Sequence, residues 1–384
     1  MDFFYKEIDN YIMNIQINDY PELIRSKVLY LLDGGKRLRP LLCLIFSSYH
    51  KIYDSIGSIA KNECIENKKN VIYKIASHIE LIHSLSLVLD DLPEMDDDNM
   101  RRNKESFHCK YGKEYTNFFI YYIFNHIPLS LDSVLNADYS DGNNNFKTDL
   151  LNINIAKKIY NIFQYNLNLL IDGQYNDLNY HLDKNTDKEK EEYNKKENNL
   201  LNIDLKEKKQ KQYINTQFCD EKKIIMLLLD YNSLTDELHE NIDLNIRKTS
   251  SLFNLSITVG FLLYIWLLEI DESSNDENTI WIDNIYKKLI TWSNIFGFIF
   301  QISDDILDMD DDIKKGNPNI CNIIGKDYTC ILLEEGCEWL TIQIESINMD
   351  IRNKYMDNKT NCMNVGFNLD AINEIITKIT NRIV

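Results

Sequence analysis

From residue 3 onward, apolar positions recur mostly at three- and four-residue spacing, the signature of helices with one buried face. Residues 3–17 and 21–33 read as two amphipathic helices, with Pro21 near the start of the second, where a missing N–H costs nothing. Residues 41–50 continue as helix, and Tyr53 to Asn70 is polar and reads as a looped insertion. Val71 to Leu89 is helical and ends directly on Asp90-Asp91. Residues 114–135 form another apolar stretch, dense in aromatics at Phe118, Phe119, Tyr121, Tyr122 and Phe124. Ile153 to Leu170 is helical and runs into Asp172-Gly173-Gln174-Tyr175-Asn176-Asp177. Residues 182–222 are a Lys/Glu/Asn-rich run that cannot bury apolar area, so a disordered or marginally helical insert is expected. Helical pattern returns at Ile224–Leu229, Leu234–Leu268, 280–308, 329–347 and 368–381, and no alternating strand pattern stands out. The expected fold is all-α, a single large helix bundle over 1–384 with inserts at about 53–70 and 182–222.

Composition agrees with long helices, since 384 residues contain only 5 Pro and 12 Gly. A net charge of -18 argues against a nucleic-acid partner. The 8 Cys show no C-x-x-C pair, which points to reduced, intracellular thiols. The most apolar window, Leu255 to Leu268, is short for a membrane span and contains Ser256, Thr258 and Gly260, so it reads as a core helix and no transmembrane segment is expected. The start is neither a signal peptide nor a basic transit peptide. The visible sequence therefore reads as cytoplasmic, with a plastid address only if a leader has been trimmed.

Three stretches carry candidate chemistry. Asp304, Asp305 and Asp308 share one edge of a helix at the end of an apolar run. Such a cluster repels itself near a core unless a hard cation sits between its oxygens. Asp90, Asp91 and Asp96 to Asp98 form a second cluster, followed by Arg101-Arg102. Together they suit magnesium and a diphosphate; the plain alternative is a pair of solvated acidic loops. Gly34-Gly35-Lys36-Arg37-Leu38-Arg39-Pro40 places three cations within four residues after a backbone release, a pattern that a helix C-cap with dipole-complementing cations also shows. His83 lies two turns before Asp90 on the same helix face, where a structural histidine and a ligand are equally compatible.

In this order, Gly-Gly-Lys-Arg-Leu-Arg-Pro, Asp-Asp-x4-Asp with Arg-Arg, Gly-Gln-x2-Asp, Lys-Thr and Gln-x2-Asp-Asp-x2-Asp resemble the trans-isoprenyl diphosphate synthases of the polyprenyl synthetase family. The Asp-Asp-Leu-Pro-x-Met spacing is most similar to the bacterial and plastid branch of geranylgeranyl and farnesyl diphosphate synthases. The resemblance spans almost the whole chain outside the two inserts. It implies a helix bundle whose aspartate motifs face a central cavity and hold three Mg²⁺ on an allylic diphosphate. That diphosphate departs, isopentenyl diphosphate attacks the resulting carbocation, and a proton is lost. By the same resemblance the metal ligands are Asp90, Asp91, Asp96, Asp304, Asp305 and Asp308. The isopentenyl diphosphate pocket is Lys36, Arg39, His83 and Arg102. The allylic diphosphate contacts are Arg101, Lys248, Thr249 and Gln301, with Asp90, Asp91, Asp304, Asp305, Lys248 and Arg101 as the catalytic set. Gln174 and Asp177 support the cavity wall. Leu85 and Ser86, below the first motif and not aromatic, favour a C20 product made from primers of C5 to C15. Aromatics at 118–124 would shorten the tunnel if they pointed inward, and belong to core or dimer interface otherwise. Homodimerisation, or pairing with another prenyl synthase, follows from the resemblance.

The chain also departs from the pattern. Arg-Arg-Gly is Arg101-Arg102-Asn103, and Asn tolerates the same left-handed backbone. Leu89 stands where a His is common before the first Asp pair. The Gly-Asp of the next helix is missing around Asn125-His126-Ile127-Pro128. Ile320-Cys321-Asn322 replaces a Leu-Gly-Lys, and a later Lys-x-Thr-Tyr-Pro is gone; Lys326 remains, and Lys314 or Lys315 could reach in. Two function classes follow: an active synthase of geranylgeranyl diphosphate, or a catalytically weak homologue acting as a partner subunit or prenyl-diphosphate binder.

Overall fold

The computed structural model describes residues 2–14, 19–51, 63–135, 151, 153–186, 221, 223–225, 235–270, 276–315, 317–356 and 365–382. The helices are α1 (Asp2–Asn14), α2 (Glu22–Leu32), α3 (Leu38–Ser47), α4 (Glu63–Asp90), α5 (Phe107–Tyr111), α6 (Lys113–Leu135), α7 (Ile153–Thr186), α8 (Asp236–Asn245), α9 (Ser251–Leu267), α10 (Asp276–Lys315), α11 (Ile320–Ile324), α12 (Lys326–Met356) and α13 (Leu369–Thr380). A π-turn, Ile246–Ser250, joins α8 to α9. The all-α expectation holds.

Three local readings are revised. Residues 63–70, expected in a loop, are the first turns of α4; the rest of that insert lies outside the described residues. Asp172 to Asp177 lie within α7 rather than after it, and 182–186 continue the same helix. Most of the second insert lies outside the described residues. The one sheet described is a hairpin of two-residue strands, β1 (Met100–Arg101) and β2 (Lys104–Glu105), too short for any alternation to register. Its turn residues Arg102 and Asn103 have φ of 53° and 62°, the twist that a two-residue hairpin requires.

The chain divides into two compact units. The first comprises Met1–Leu167, Leu252–Ile290 and Ile344–Asn373. Its centre is α4, where Ile72, Ile75, Ala76, Ile79, Leu81, Ile82 and Leu85 are all fully buried, so the helix is enclosed on every side. The apolar run of α9 is equally enclosed, from Phe253 to Ile265, as expected of a core helix. The segments 66–90 and 236–267 are long and apolar enough to cross a membrane by composition, yet 83% and 94% of their most apolar windows are covered by the protein itself. Gly260 lets α9 approach α3, because a Cβ there would lie 2.7 Å from the Cys43 carbonyl oxygen.

The second unit comprises Asn168–Ser251, Thr291–Gln343 and Glu374–Val384. Trp292 is fully buried, stacks on Phe296 at 5.2 Å and donates its Nε1–H to the Leu340 carbonyl at 2.8 Å. Thr235 caps α8 by accepting from the Leu238 N–H, with Asp236 and Glu237 complementing the dipole of the first turn.

Candidate active site

In the first unit, the glycine turn after α2 splits its cations. Arg37 adopts a left-handed backbone (φ 54°), which sends its side chain inward. There it pairs with Glu80 at 3.0 Å and Asp9 at 2.9 Å. Three cations aimed at a ligand were expected, and this one is structural instead: Arg37 and Glu80 are buried, and removing either would strand the other's charge. Lys36 is exposed. Arg39 lies over the Phe253 ring at 4.5 Å and reaches the His83 Nε2 at 3.0 Å. Arginine has only donors, so that Nε2 must accept, and the imidazole carries its proton on Nδ1. Burial first, then the positive charges of Arg39, Arg102, Arg101 and Arg37, hold His83 well below the ordinary histidine range, so it is neutral.

The first aspartate motif sits at the end of α4, where Asp90 and Asp91 are buried. The following turn folds back so that the Asp96 N–H donates to the Asp90 carbonyl at 2.9 Å. Asp91 is held by Arg101 from the hairpin, which donates from Nε at 2.8 Å and also from Nη2. Burial pushes the Asp91 carboxyl up, and Arg101 opposes that shift. Arg102 donates to the Asp33 carbonyl at 3.3 Å, so the hairpin tip is tied to the end of α2. Leu85 and Ser86 are both buried. On α6 Phe119 points inward and stacks on Phe107 at 4.5 Å, whereas Phe118 and Tyr121 are 75% and 64% exposed.

In the second unit, the Lys-Thr pair lies on the π-turn, where an extra residue per turn re-aims side chains. Glycines of two helices clamp this turn. A Cβ on Gly173 would lie 2.8 Å from the Lys248 amide nitrogen, and one on Gly297 2.5 Å from the Ser250 Cα. Lys248 donates to Asp177 at 2.5 Å. Thr249 donates to Gln301 Oε1 at 2.8 Å, and Gln301 Nε2 donates to Asp305 at 2.9 Å. The other Asp305 oxygen accepts the Ile320 N–H at 2.8 Å. Asn319, which the sequence did not single out, donates to the Asp305 carbonyl and to Asp312, both at 2.8 Å. Burial pushes Asp305 up to about 6, against the lowering by the Ile320 N–H and Gln301. Its carboxylate is thus committed to framework hydrogen bonds. Asp304 is half-buried and paired with Arg382 at 2.5 Å, another residue the sequence did not single out, and Asp308 is exposed. Lys326 is exposed at the start of α12, Lys314 pairs with Asp311, and the side chain of Lys315 lies outside the described residues.

The donors suit a hard divalent cation: carboxylate oxygens, several of them buried, whose present counter-ions are guanidinium groups. Gln174 adds a buried amide whose oxygen and nitrogen both lack a protein partner, the condition of a group that receives its bonds from a ligand or water. Among the described residues, no three Asp, Glu, His or Cys are already gathered at metal-binding distance.

A polyprenyl synthetase family model matches residues 21–199. Over 84 residues the chain is 38% identical to geranylgeranyl pyrophosphate synthase 6, mitochondrial, of Arabidopsis thaliana, covering 22% of this chain and 20% of that protein. It is 37% identical over 97 residues to the farnesyl diphosphate synthase of Bacillus subtilis, covering 25% and 27%. The matched stretch thus spans a fifth to about a quarter of these relatives. Among solved structures, the geranyltransferase of Helicobacter pylori complexed with magnesium and isoprenyl diphosphate shares the fold, with a TM-score of 0.53 and 16% identity over 99% of this chain and 96% of that one.

Proposed function

We infer that this chain, whose residues 21–199 match a polyprenyl synthetase family model, is a prenyltransferase. It condenses isopentenyl diphosphate with an allylic diphosphate to give a short-chain prenyl diphosphate. The observation that carries this reading is the arginine-rich surroundings of His83. Burial first, and then the guanidinium groups of Arg39, Arg102, Arg101 and Arg37, keep this imidazole neutral, and their summed charge is a positive potential suited to a dianion. Arg39 and Arg102 bind isopentenyl diphosphate there as forks, Lys36 adds a point charge from the rim, and His83 donates from Nδ1.

Lys248 takes the allylic diphosphate in the second unit, and Arg101 is the candidate diphosphate contact beside the first aspartate motif. Each is now held by a carboxylate (Asp177 and Asp91), which keeps it extended and fixes its aim. Asp90, Asp91, Asp96, Asp304 and Asp308 are the residues that would hold Mg²⁺, with Asp305 shaping the motif from its framework bonds. A divalent cation held by these carboxylates would supply the positive charge that a departing diphosphate needs. Asp177 fixes Lys248 through its ion pair, and Gln174, one turn before Asp177 on α7, keeps its amide for a ligand or water.

Phe118 and Tyr121 face away and the inward Phe119 is taken up by its stack on Phe107, so the non-aromatic Leu85 and Ser86 are proposed to set the length limit, with geranylgeranyl diphosphate as product and Phe119 as the residue that would shorten it. The exposed face of α6, Phe118 and Tyr121 with Leu129 at 72% exposure, receives a second copy of the chain. The test is incubation with Mg²⁺, labelled isopentenyl diphosphate and separate C5, C10 and C15 primers. Accumulation of a C20 product supports the reading. A product stopping at C15 would overturn the length assignment. No product from a folded protein that still binds Mg²⁺ and substrate would leave a partner subunit.

A further inference from the structure

The second aspartate motif draws a cation from far along the chain. Arg382, two residues past the end of α13, sets Nη2 2.5 Å from Asp304 Oδ1. Its Nη1 donates to Ser303 Oγ at 3.1 Å, and the guanidinium lies over the Phe300 ring, 5.1 Å from its centroid. Residues 300, 303 and 304 are neighbours on one face of α10, so the fork is held by an ion pair, a hydroxyl and an aromatic face together. Fewer than a third of either charged side chain's surface is exposed, 28% for Arg382 and 29% for Asp304. A solvated surface pair would be neither so covered nor so fixed. Position 322 here is an exposed Asn, and Lys314 is taken up by Asp311 in an exposed pair. The C-terminal arginine therefore brings positive charge directly onto the first carboxylate of the motif.

We propose that Arg382 is a positioning residue of the diphosphate site: it serves as the counter-ion of Asp304 until a divalent cation takes that carboxylate, and then turns its fork to the diphosphate. This rests on the prenyltransferase reading. A guanidinium and a divalent cation on one carboxylate repel each other, so Arg382 opposes metal binding when metal arrives alone. A diphosphate reverses the sign, because its oxygens attract both cations, and a planar fork suits two of them. Arg382 thus couples metal occupancy to diphosphate occupancy, and by linkage the coupling is reciprocal.

The two halves of this coupling move in opposite directions, which makes them separable. Mn²⁺ binding to the full chain, followed by electron paramagnetic resonance, is measured for the wild type, Arg382→Gln and Arg382→Lys, with and without inorganic pyrophosphate. Arg382→Gln is expected to bind Mn²⁺ alone several-fold more tightly. The same variant binds pyrophosphate in the presence of Mn²⁺ on the order of ten-fold more weakly. Arg382→Lys, which keeps the charge and loses the fork, stays near wild type for metal alone but is weakened for pyrophosphate. If both affinities fall in Arg382→Gln, the arginine merely supports the fold and the proposal is overturned; if neither moves, it is overturned as well. Asp304→Asn separates this failure from that of the parent reading: wild-type protein that binds no Mn²⁺, or an Asn variant that binds it undiminished, removes the metal site itself.

Discussion

The two aspartate motifs solve the same electrostatic problem with different reach. The first takes its counter-ion locally, since Arg101 lies ten residues from Asp91 on a hairpin whose tip is tied back to α2. The second takes Arg382 onto Asp304 and Ser303 from 79 residues beyond Ser303, and hands Asp305 to Gln301 and the Ile320 N–H. A buried carboxylate must be matched wherever it sits. What differs is whether the match is written beside it. The first motif is consequently matched from nearby sequence, whereas the pairing of Asp304 in the second depends on the C-terminal segment.

The largest expected effect comes from breaking the buried pair beneath the first motif. Arg37→Ala leaves Glu80 charged and unmatched, and thermal or denaturant unfolding should show a loss of about 3–5 kcal/mol. Replacing both partners together should cost less than Arg37→Ala alone; a larger loss would mean that neither depends on the other.

Two buried groups, His78 and Asp305, should also answer pH in opposite senses. His78 is fully buried and held down at about 4, mainly by burial. Below about 6.5 the unfolded chain takes up a proton there that the folded one does not, so its contribution is lost as pH falls from about 6.5 toward 4. Asp305, pushed up to about 6, works the other way: between about 4 and 6 the folded state holds the proton, and stability is lost as pH rises. Each slope approaches about 1.4 kcal/mol per pH unit inside its window. Comparing unfolding curves of His78→Asn and Asp305→Asn with wild type across pH 4–7 isolates each one; slopes of the same sign would contradict the assignment.

A smaller loss is expected at the π-turn. Gly173→Ala places a Cβ against the Lys248 amide nitrogen, backbone that cannot swing aside, and should cost about 1–3 kcal/mol. Because the clash falls on the turn that carries Lys248, KM for the allylic substrate should rise as well; unchanged kinetics would show that the turn does not aim this lysine. The smallest effect on folding belongs to Phe118→Asp with Tyr121→Asp on exposed α6. Stability should move by less than about 1 kcal/mol, while sedimentation velocity should show a monomer in place of a dimer.

These contrasts follow what the sequence made legible. The helices could be read because long apolar runs such as 253–265 leave no other way to bury them. The start of α4 was hidden because Lys68 and Lys69 make it look like a loop; they are instead satisfied by Glu269 and Glu7, far away in sequence. The cations of the glycine turn were visible as residue types, but only the left-handed backbone at Arg37 decides which one turns inward. Arg101 and Arg102 were found because they follow the first motif. Arg382 was not, since one arginine near a C-terminus carries no spacing signal, and neither does Asn319 as the brace of Asp305.

The most direct test of the account is product formation from labelled isopentenyl diphosphate and an allylic primer by wild type, Asp90→Ala and Asp304→Ala, each confirmed folded. The account predicts a prenyl diphosphate from wild type and a loss on the order of 10²–10³-fold or more in each variant. Undiminished product in either variant, or none from a folded wild type that binds Mg²⁺, would contradict it.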